Sequence, residues 1–411
     1  MSLLRHRDFR LLWAGQSVSD LGTAVSTLVL PLVAVVTLKA SAFEVGVLSA
    51  LEWLPWLLVG LPAGAWVDRL RARPILISTD LVRLVSIVSV PVAAAFGGLT
   101  IGLLFVAAFV TGFATVLFQV AYQAYLPRLV DHLDLAEGNA KLQGSQAVAA
   151  VVGPGLGGLL VHVARAPFAL FADAASYLVS LLSLLAIRTP ERTPDAPHTR
   201  GLRAEIAEGA RYVRADPLLR VLTIAPAIAN FFFIGVQAII VLFLVRQVHV
   251  APGTVGVLVA LVGLGAVIGA VVARRVGLLI GTSRALWLVS ALCAPFALLI
   301  PLTTRGAGLV LFILGNVIPL AGVLVYNVTI GTFRQAYCPP AILGRVVASM
   351  RFVLFGTMPL GALLAGALAS ALGPRTAMWV LTAGTLLPAL VLTASPLRAL
   401  RDLPPSAAPA A

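Results

Sequence analysis

This chain has little of what a soluble enzyme uses. Only 11% of its 411 residues are charged, and 7% are aromatic. Two cysteines, Cys293 and Cys338, are too few and too far apart for a disulfide framework or a metal site. No paired catalytic constellation, phosphate-cradling glycine loop or metal-ligand spacing occurs. The sequence therefore predicts no enzyme, no cofactor and no metal, and any work must come from an ion or substrate gradient. Lysine is confined to Lys39 and Lys141, and the other Lys/Arg positions are all arginine, a bias typical of a GC-rich bacterial genome. Acids are scarce as well. Sixteen stand against 29 lysines and arginines, a net charge of +13 that would suggest nucleic acid if it were spread evenly.

What is present is apolar. Hydrophobic residues make up 60% of the chain, with a mean hydropathy of +1.02. That exceeds any soluble domain of this size. The apolar residues fall into twelve runs near 11–38, 43–66, 74–96, 100–125, 142–163, 166–187, 219–245, 252–273, 285–303, 306–332, 346–372 and 376–395. Each can cross a hydrocarbon core about 30 Å thick. Sorted by loop, 22 basic residues fall on one side and 5 on the other, Lys39, Arg165, Arg246, Arg305 and Arg375, leaving Arg83 and Arg351 inside runs. The asymmetry predicts both termini in the cytoplasm and explains the charge without nucleic acid. Arg5, Arg7 and Arg10 lead straight into the first run without a small-residue cleavage site, so the N-terminus reads as a start-transfer end.

The halves repeat. Val45-Gly46-Val47-Leu48 recurs as Val255-Gly256-Val257-Leu258, and Gln123-Ala124-Tyr125-x-Pro127 as Gln335-Ala336-Tyr337-x-Pro339. Pro154 has a counterpart in Pro359. These repeats predict a six-span bundle over 1–187, a cytoplasmic linker over 188–217 and a second bundle over 218–411. A substrate site then falls near the midplane between the halves. Part of the linker, 202–213, has a modest apolar face that suits a short helix on the membrane surface.

Span five carries Gly153-Pro154-Gly155-Leu156-Gly157-Gly158. Four glycines leave a helix face bare, so another backbone can approach closely. The expected partner is span eight, with Gly256, Gly263, Gly265 and Gly269. In the loop after span two, Gly64-Ala65-Trp66-Val67-Asp68-Arg69 with Arg73 forms a second pattern. Asp68 there can cap a helix N-terminus or pair with arginine, a contact that can form in one conformation and break in another. Arg69, Arg71 and Arg73 also set topology.

On these motifs the chain resembles the major facilitator superfamily. Gly64, Asp68, Arg69 and Arg73 match the pattern of that family's helix two–three loop, although Arg71 stands where glycine is usual and Ala72 where a basic residue is usual. Gly153-Pro154-x-x-Gly157-Gly158 matches the motif of its exporters, with Ala149 replacing a frequent upstream glycine. His6 to Trp13, Tyr125 to Val130 and Asp173 to Tyr177 are similar to the branch that holds macrolide-efflux and enterobactin-exporter proteins. The resemblance implies an all-α polytopic fold of twelve transmembrane helices in two six-helix pseudo-repeats. It also implies a monomer in the bacterial cytoplasmic membrane that exports amphipathic small molecules, with protons as coupling ion. Many such exporters carry an arginine in span four. Leu103 to Gln119 has none, which leaves two alternatives, no proton coupling or coupling through other residues.

Charges inside spans are costly and usually functional. Asp20 and Glu52 each lie about nine residues into their spans, roughly 14 Å deep at about 1.5 Å per residue. Desolvation at that depth favours a carboxylic acid that can load and release a proton. Asp20 is the first candidate because span one lines the cavity in the resembled fold, and Glu52 is the second. Gln119, Gln123, Asn230, Gln237, Asn316 and Asn327 are candidates to line a polar cavity, though each could equally hold two helices together. Asp80 and Arg83, one helical turn apart, read as a structural pair. Asp173 and Arg351 read as gate or packing residues. Phe231-Phe232-Phe233 fits either an apolar substrate wall or a lipid-facing surface. A facilitator, an importer and a non-transporting sensor on the same fold are the alternatives to export.

Overall fold

The computed structural model describes residues 3–131, 134–189, 191 and 202–404, and every regular element among them is helical. Twelve helices are long and apolar enough to cross a membrane. Spans one to six are Arg7–Leu32 with a π turn at Val33–Thr37, Ala42–Arg69, Ala72–Ala95, Ile101–Leu129, Leu135–Ala164 and Ala166–Ala186. A linker helix runs over Leu202–Ala215. Spans seven to twelve are Pro217–Leu242 with a π turn at Phe243–Gln247, Pro252–Ile280, Thr282–Cys293 continued by a 3₁₀ turn at Ala294–Leu299, Leu309–Tyr337, Pro340–Leu372, and Pro374–Gly384 with Leu387–Thr393. The linker residues 192–201 lie outside the described residues.

Several span ends depart from the hydropathy pattern. Span five begins at Leu135 rather than near 142, because its polar first turns are held by partners. Glu137 pairs with Lys141 at 3.4 Å and accepts the Leu3 amide at 3.3 Å. Span nine breaks after Cys293 at Pro295, and span twelve breaks before Pro388. A proline in each place removes an intrahelical donor.

The chain forms two compact units, one of Met1–Thr199 with Val250–Ala260, the other of Arg200–His249 with Leu261–Ala411. In the first, span one packs on five and six, span two on four, and span three on four and six. Phe9, Leu76, Phe118 and Tyr125 are buried in one apolar cluster there. In the second, span seven packs on eleven and twelve, the linker helix on eleven, and nine on ten. Leu222, Leu286, Phe333 and Tyr337 form its cluster.

The repeat seen in sequence extends to backbone conformation. Left-handed φ values occur at Lys39, Gly97 and Arg165, and again at His249, Gly306 and Gly373, while Gly281 has one without a counterpart among the described residues of the first half. The partners are 210, 209 and 208 residues apart. Each π turn ends two residues before the first member of its set. The acids that close each half also correspond. Glu191 accepts the amides of Ala72 and Arg73 at 2.6 and 3.1 Å, capping span three, and it pairs with Arg128 at 2.6 Å. Asp402, 211 residues on, accepts the Thr282 amide at 2.9 Å at the start of span nine. A carboxylate at these free N–H groups satisfies donors that the helix cannot and meets the positive end of its dipole.

Candidate transport site

Span one carries a polar stripe along an otherwise apolar helix. Gln16, Ser19, Asp20, Thr23 and Ser26 recur at three- and four-residue steps. Span six carries Asp173, Ser176, Tyr177, Ser180 and Ser183 with the same spacing. The two helices run antiparallel, and the stripes meet. Ser26 donates to Asp173 at 2.5 Å, and Thr23 shares a hydrogen bond with Tyr177 at 3.2 Å. Gly15 and Gly22 let the backbones approach. A Cβ on Gly15 would lie 2.8 Å from Ser183 Cβ, and one on Gly22 2.7 Å from Asp173 Oδ1. Such seams of small and hydroxyl side chains hold helices together where lipid leaves no hydrophobic driving force. The periodicity was available in the sequence. That the two stripes face each other was not.

Span three adds the charges. Arg83 is ion-paired with Asp80, as the one-turn spacing predicted, and Asp80 also accepts from Ser180 at 2.7 Å. The Arg83 guanidinium lies between two rings, 3.9 Å from the Phe118 centroid and 4.6 Å from that of Tyr177. Asp80 and Asp173 are fully buried, and Arg83 is 3% exposed. Asp173 therefore belongs to a packed polar network.

Asp20 sits at the margin of this network. It is half-buried, and its carboxylate accepts from Gln16 Nε2 at 2.7 Å. It also acts electrostatically on Arg83 and Tyr122. Glu52 is half-buried in span two and makes no hydrogen bond among the described residues. Gln119 and Gln123 lie one turn apart on an exposed face of span four. In the other unit Gln237 and Asn327 are exposed and Asn230 is half-buried, on spans seven and ten. Asn316 differs. It is 9% exposed and donates to the Phe312 carbonyl of its own helix at 2.8 Å, which removes it from a polar surface. The three phenylalanines divide their roles. Phe231 and Phe232 line a cavity of about 420 Å³ with Ile224, Ile228, Val353 and Thr357, while Phe233 is exposed.

The glycine stretch packs on two faces. Gly153 and Gly157 face span one, where added Cβ atoms would lie 3.1 Å from Ala24 C and 3.3 Å from Val25 O. Gly158 faces span eight, its Cβ reaching 2.7 Å from Gly253 O and 2.8 Å from Gly256 Cα, and that of Gly155 would lie 3.3 Å from Ala260 Cβ. This corrects the expectation of a single seam with span eight. Gly256 does take part, together with Gly253, but Gly265 and Gly269 instead pack against Val317 and Ala321 of span ten. A step of 100° per residue puts 153/157 and 154/158 on adjacent faces, so one motif serves two neighbours. Pro154 is buried and lends its carbonyl to the close approach of Gly256.

In the helix two–three loop, Gly64 has open space around it and so shows no close approach. The side chains of Asp68 and Arg69 lie outside the described residues. Arg73 donates to the carbonyls of Leu184 and Leu185 at 3.1 and 3.2 Å, which ties span three to the end of span six.

Twelve membrane-spanning helices in this arrangement define a polytopic membrane transporter of the major facilitator class, not an enzyme. Residues 1–409 match the profile of the transmembrane secretion effector family of that superfamily, and the chain belongs to it. It is 27% identical over 357 residues to the multidrug efflux pump Tap of Mycolicibacterium fortuitum, covering 82% of this chain and 83% of that one. It is 23% identical over 405 residues to macrolide efflux protein A of Streptococcus pyogenes, covering 96% and 97%. The nucleoside transporter NupG superposes with a TM-score of 0.77 at 12% identity, covering 94% of this chain and 98% of that one. A bacterial homologue of the lysosomal transporter Spinster, inward-facing and occupied, gives 0.73 at 15%, covering 95% and 97%. These two structural likenesses show the fold alone.

Proposed function

We propose that this protein exports amphipathic small molecules across the bacterial cytoplasmic membrane by alternating access, in exchange for protons, with both termini in the cytoplasm. The bundles 1–187 and 218–411 act as a monomer's two moving bodies, joined by the linker 188–217. Asp20 is the observation that carries the coupling. It is an ionisable group in the middle of a span, held by a neutral amide and still partly open. A carboxylate so placed can trade its proton for a cationic or polar substrate group as access alternates. Glu52 is a second proton site, and Gln119, Gln123, Asn230, Gln237 and Asn327 supply polar contacts to substrate. The efflux relatives and the glycine-proline motif support export as the direction.

The test is flux in proteoliposomes with a macrolide as probe. An inward-directed proton gradient is expected to drive uphill export, and an ionophore that collapses the gradient should reduce accumulation to equilibration. Flux indifferent to the gradient would make the protein a facilitator or couple it to another ion.

Asp68 serves as a conformational latch, a role that rests on its place in the loop motif. Asp68→Asn keeps the shape and loses the charge, so turnover is expected to fall at least tenfold while probe binding stays within about twofold. That split marks a conformational step rather than a binding contact. An unchanged export rate would leave Asp68 with topology alone.

A further inference from the structure

We propose that Asp173 holds an exchangeable proton, in a site sealed between spans one, three and six and distinct from Asp20. The charge count carries this. Two fully buried carboxylates, Asp80 and Asp173, share one buried cation, Arg83. Arg83 is committed to Asp80 by direct contact. The hydrogen-bond partners of Asp173 are hydroxyls, Ser26 at 2.5 Å, Ser176 at 3.2 Å and the Tyr177 phenol, while Arg83 reaches it only through space. An ionised Asp173 would leave the pocket with one uncompensated negative charge out of water, which is far costlier than a neutral acid bonded to hydroxyls.

The surroundings offer no other counter-charge. Span one contributes Asp20, a further acid. Span three contributes Asp80 and Arg83, and span six Tyr177, whose phenol is shared with Thr23. Span four contributes Tyr122, which faces Asp20, and the Phe118 ring. The ionisable residues of span five that could carry charge are near its ends, Glu137, Lys141 and His162. Arg83 Nε is buried with no partner, so the guanidinium has a donor in reserve. Movement of Arg83 from Asp80 toward Asp173 would expel the proton from one acid and call for it on the other. Asp20, half-buried on the same helix as Ser26, is where we place the exit of that proton.

The part this site plays in coupling rests on the proton-exchange reading above, but the proton itself does not. Infrared difference spectra of the purified protein in nanodiscs, taken on a pH jump, read it directly and need no substrate. In an Asp20→Asn/Glu52→Gln background, which silences the two other proton sites, the protein is expected to show a protonated-carboxyl band that bleaches as pH rises, and adding Asp173→Asn should remove that band. Asp80→Asn, which releases Arg83 to Asp173, should move the bleach to lower pH. If Asp173→Asn does not fold, Ser26→Ala keeps the acid and should shift the frequency of its band. The same band after Asp173→Asn is added, no shift in Ser26→Ala, or a band that never bleaches in that background would each overturn the proposal. A titrating band alongside export indifferent to the proton gradient would sink proton exchange and leave the site standing.

Discussion

Gly158→Leu is expected to abolish export while the protein still reaches the membrane. A Cβ at Gly158 would lie 2.7 Å from a carbonyl oxygen and 2.8 Å from a Cα, both backbone atoms of span eight. Neither can turn aside as a side-chain tip would. Overpacking of this kind costs about 1–3 kcal/mol. Two kilocalories against the packed state, taken as a central value, shift its population by roughly thirtyfold. A transporter that must visit this state once per cycle loses turnover in proportion. Gly144→Leu in the same helix is the control, since nothing lies within 4 Å of its added Cβ. The comparison reads vesicle export against membrane abundance for both variants. Wild-type export by Gly158→Leu would show that the cycle does not need the close approach.

Asp20→Asn is expected to lose concentrative export and to keep downhill exchange. The amide replaces the carboxylate with the same shape, and Gln16 can still donate to its oxygen. What is lost is the ability to release and take up a proton. A gradient of one pH unit stores about 1.4 kcal/mol per proton, enough for about tenfold accumulation by one-for-one exchange. In proteoliposomes the variant should therefore bring internal and external probe to equality, where wild type sustains the gradient. Uphill export by Asp20→Asn would assign Asp20 to packing.

Much of this architecture was legible in the chain because membrane helices obey a local rule. Each must satisfy its own backbone and meet lipid with apolar side chains, so the twelve runs stand out one at a time. The errors came where a helix end is held by a tertiary partner, as Leu3 on Glu137 and Trp13 on the Lys141 carbonyl hold the first turns of span five. The site was legible only as separate residues. Asp80 and Arg83 lie one turn apart, so their pairing could be read along the helix. Asp173 is joined to Ser26 across 147 positions, and nothing local announces that bond. The glycine stretch gave its small face readily but not its neighbours, because periodicity fixes which residues share a side and leaves open what that side meets. Glu191 was missed outright. A single acid beyond the sixth apolar run carries no pattern, although its counterpart Asp402 at the matching place could have drawn notice.

The paired π turns bear on how the two halves can be compared. A π turn widens one turn of a helix to i→i+5 bonding, a rare local geometry. Val33–Thr37 and Phe243–Gln247 stand at the same distance along their halves, each followed by a residue in the left-handed region. The same rare geometry at the same place in both halves sets the mouth of spans one and seven alike, so a substitution that regularises one turn has a matched control in the other.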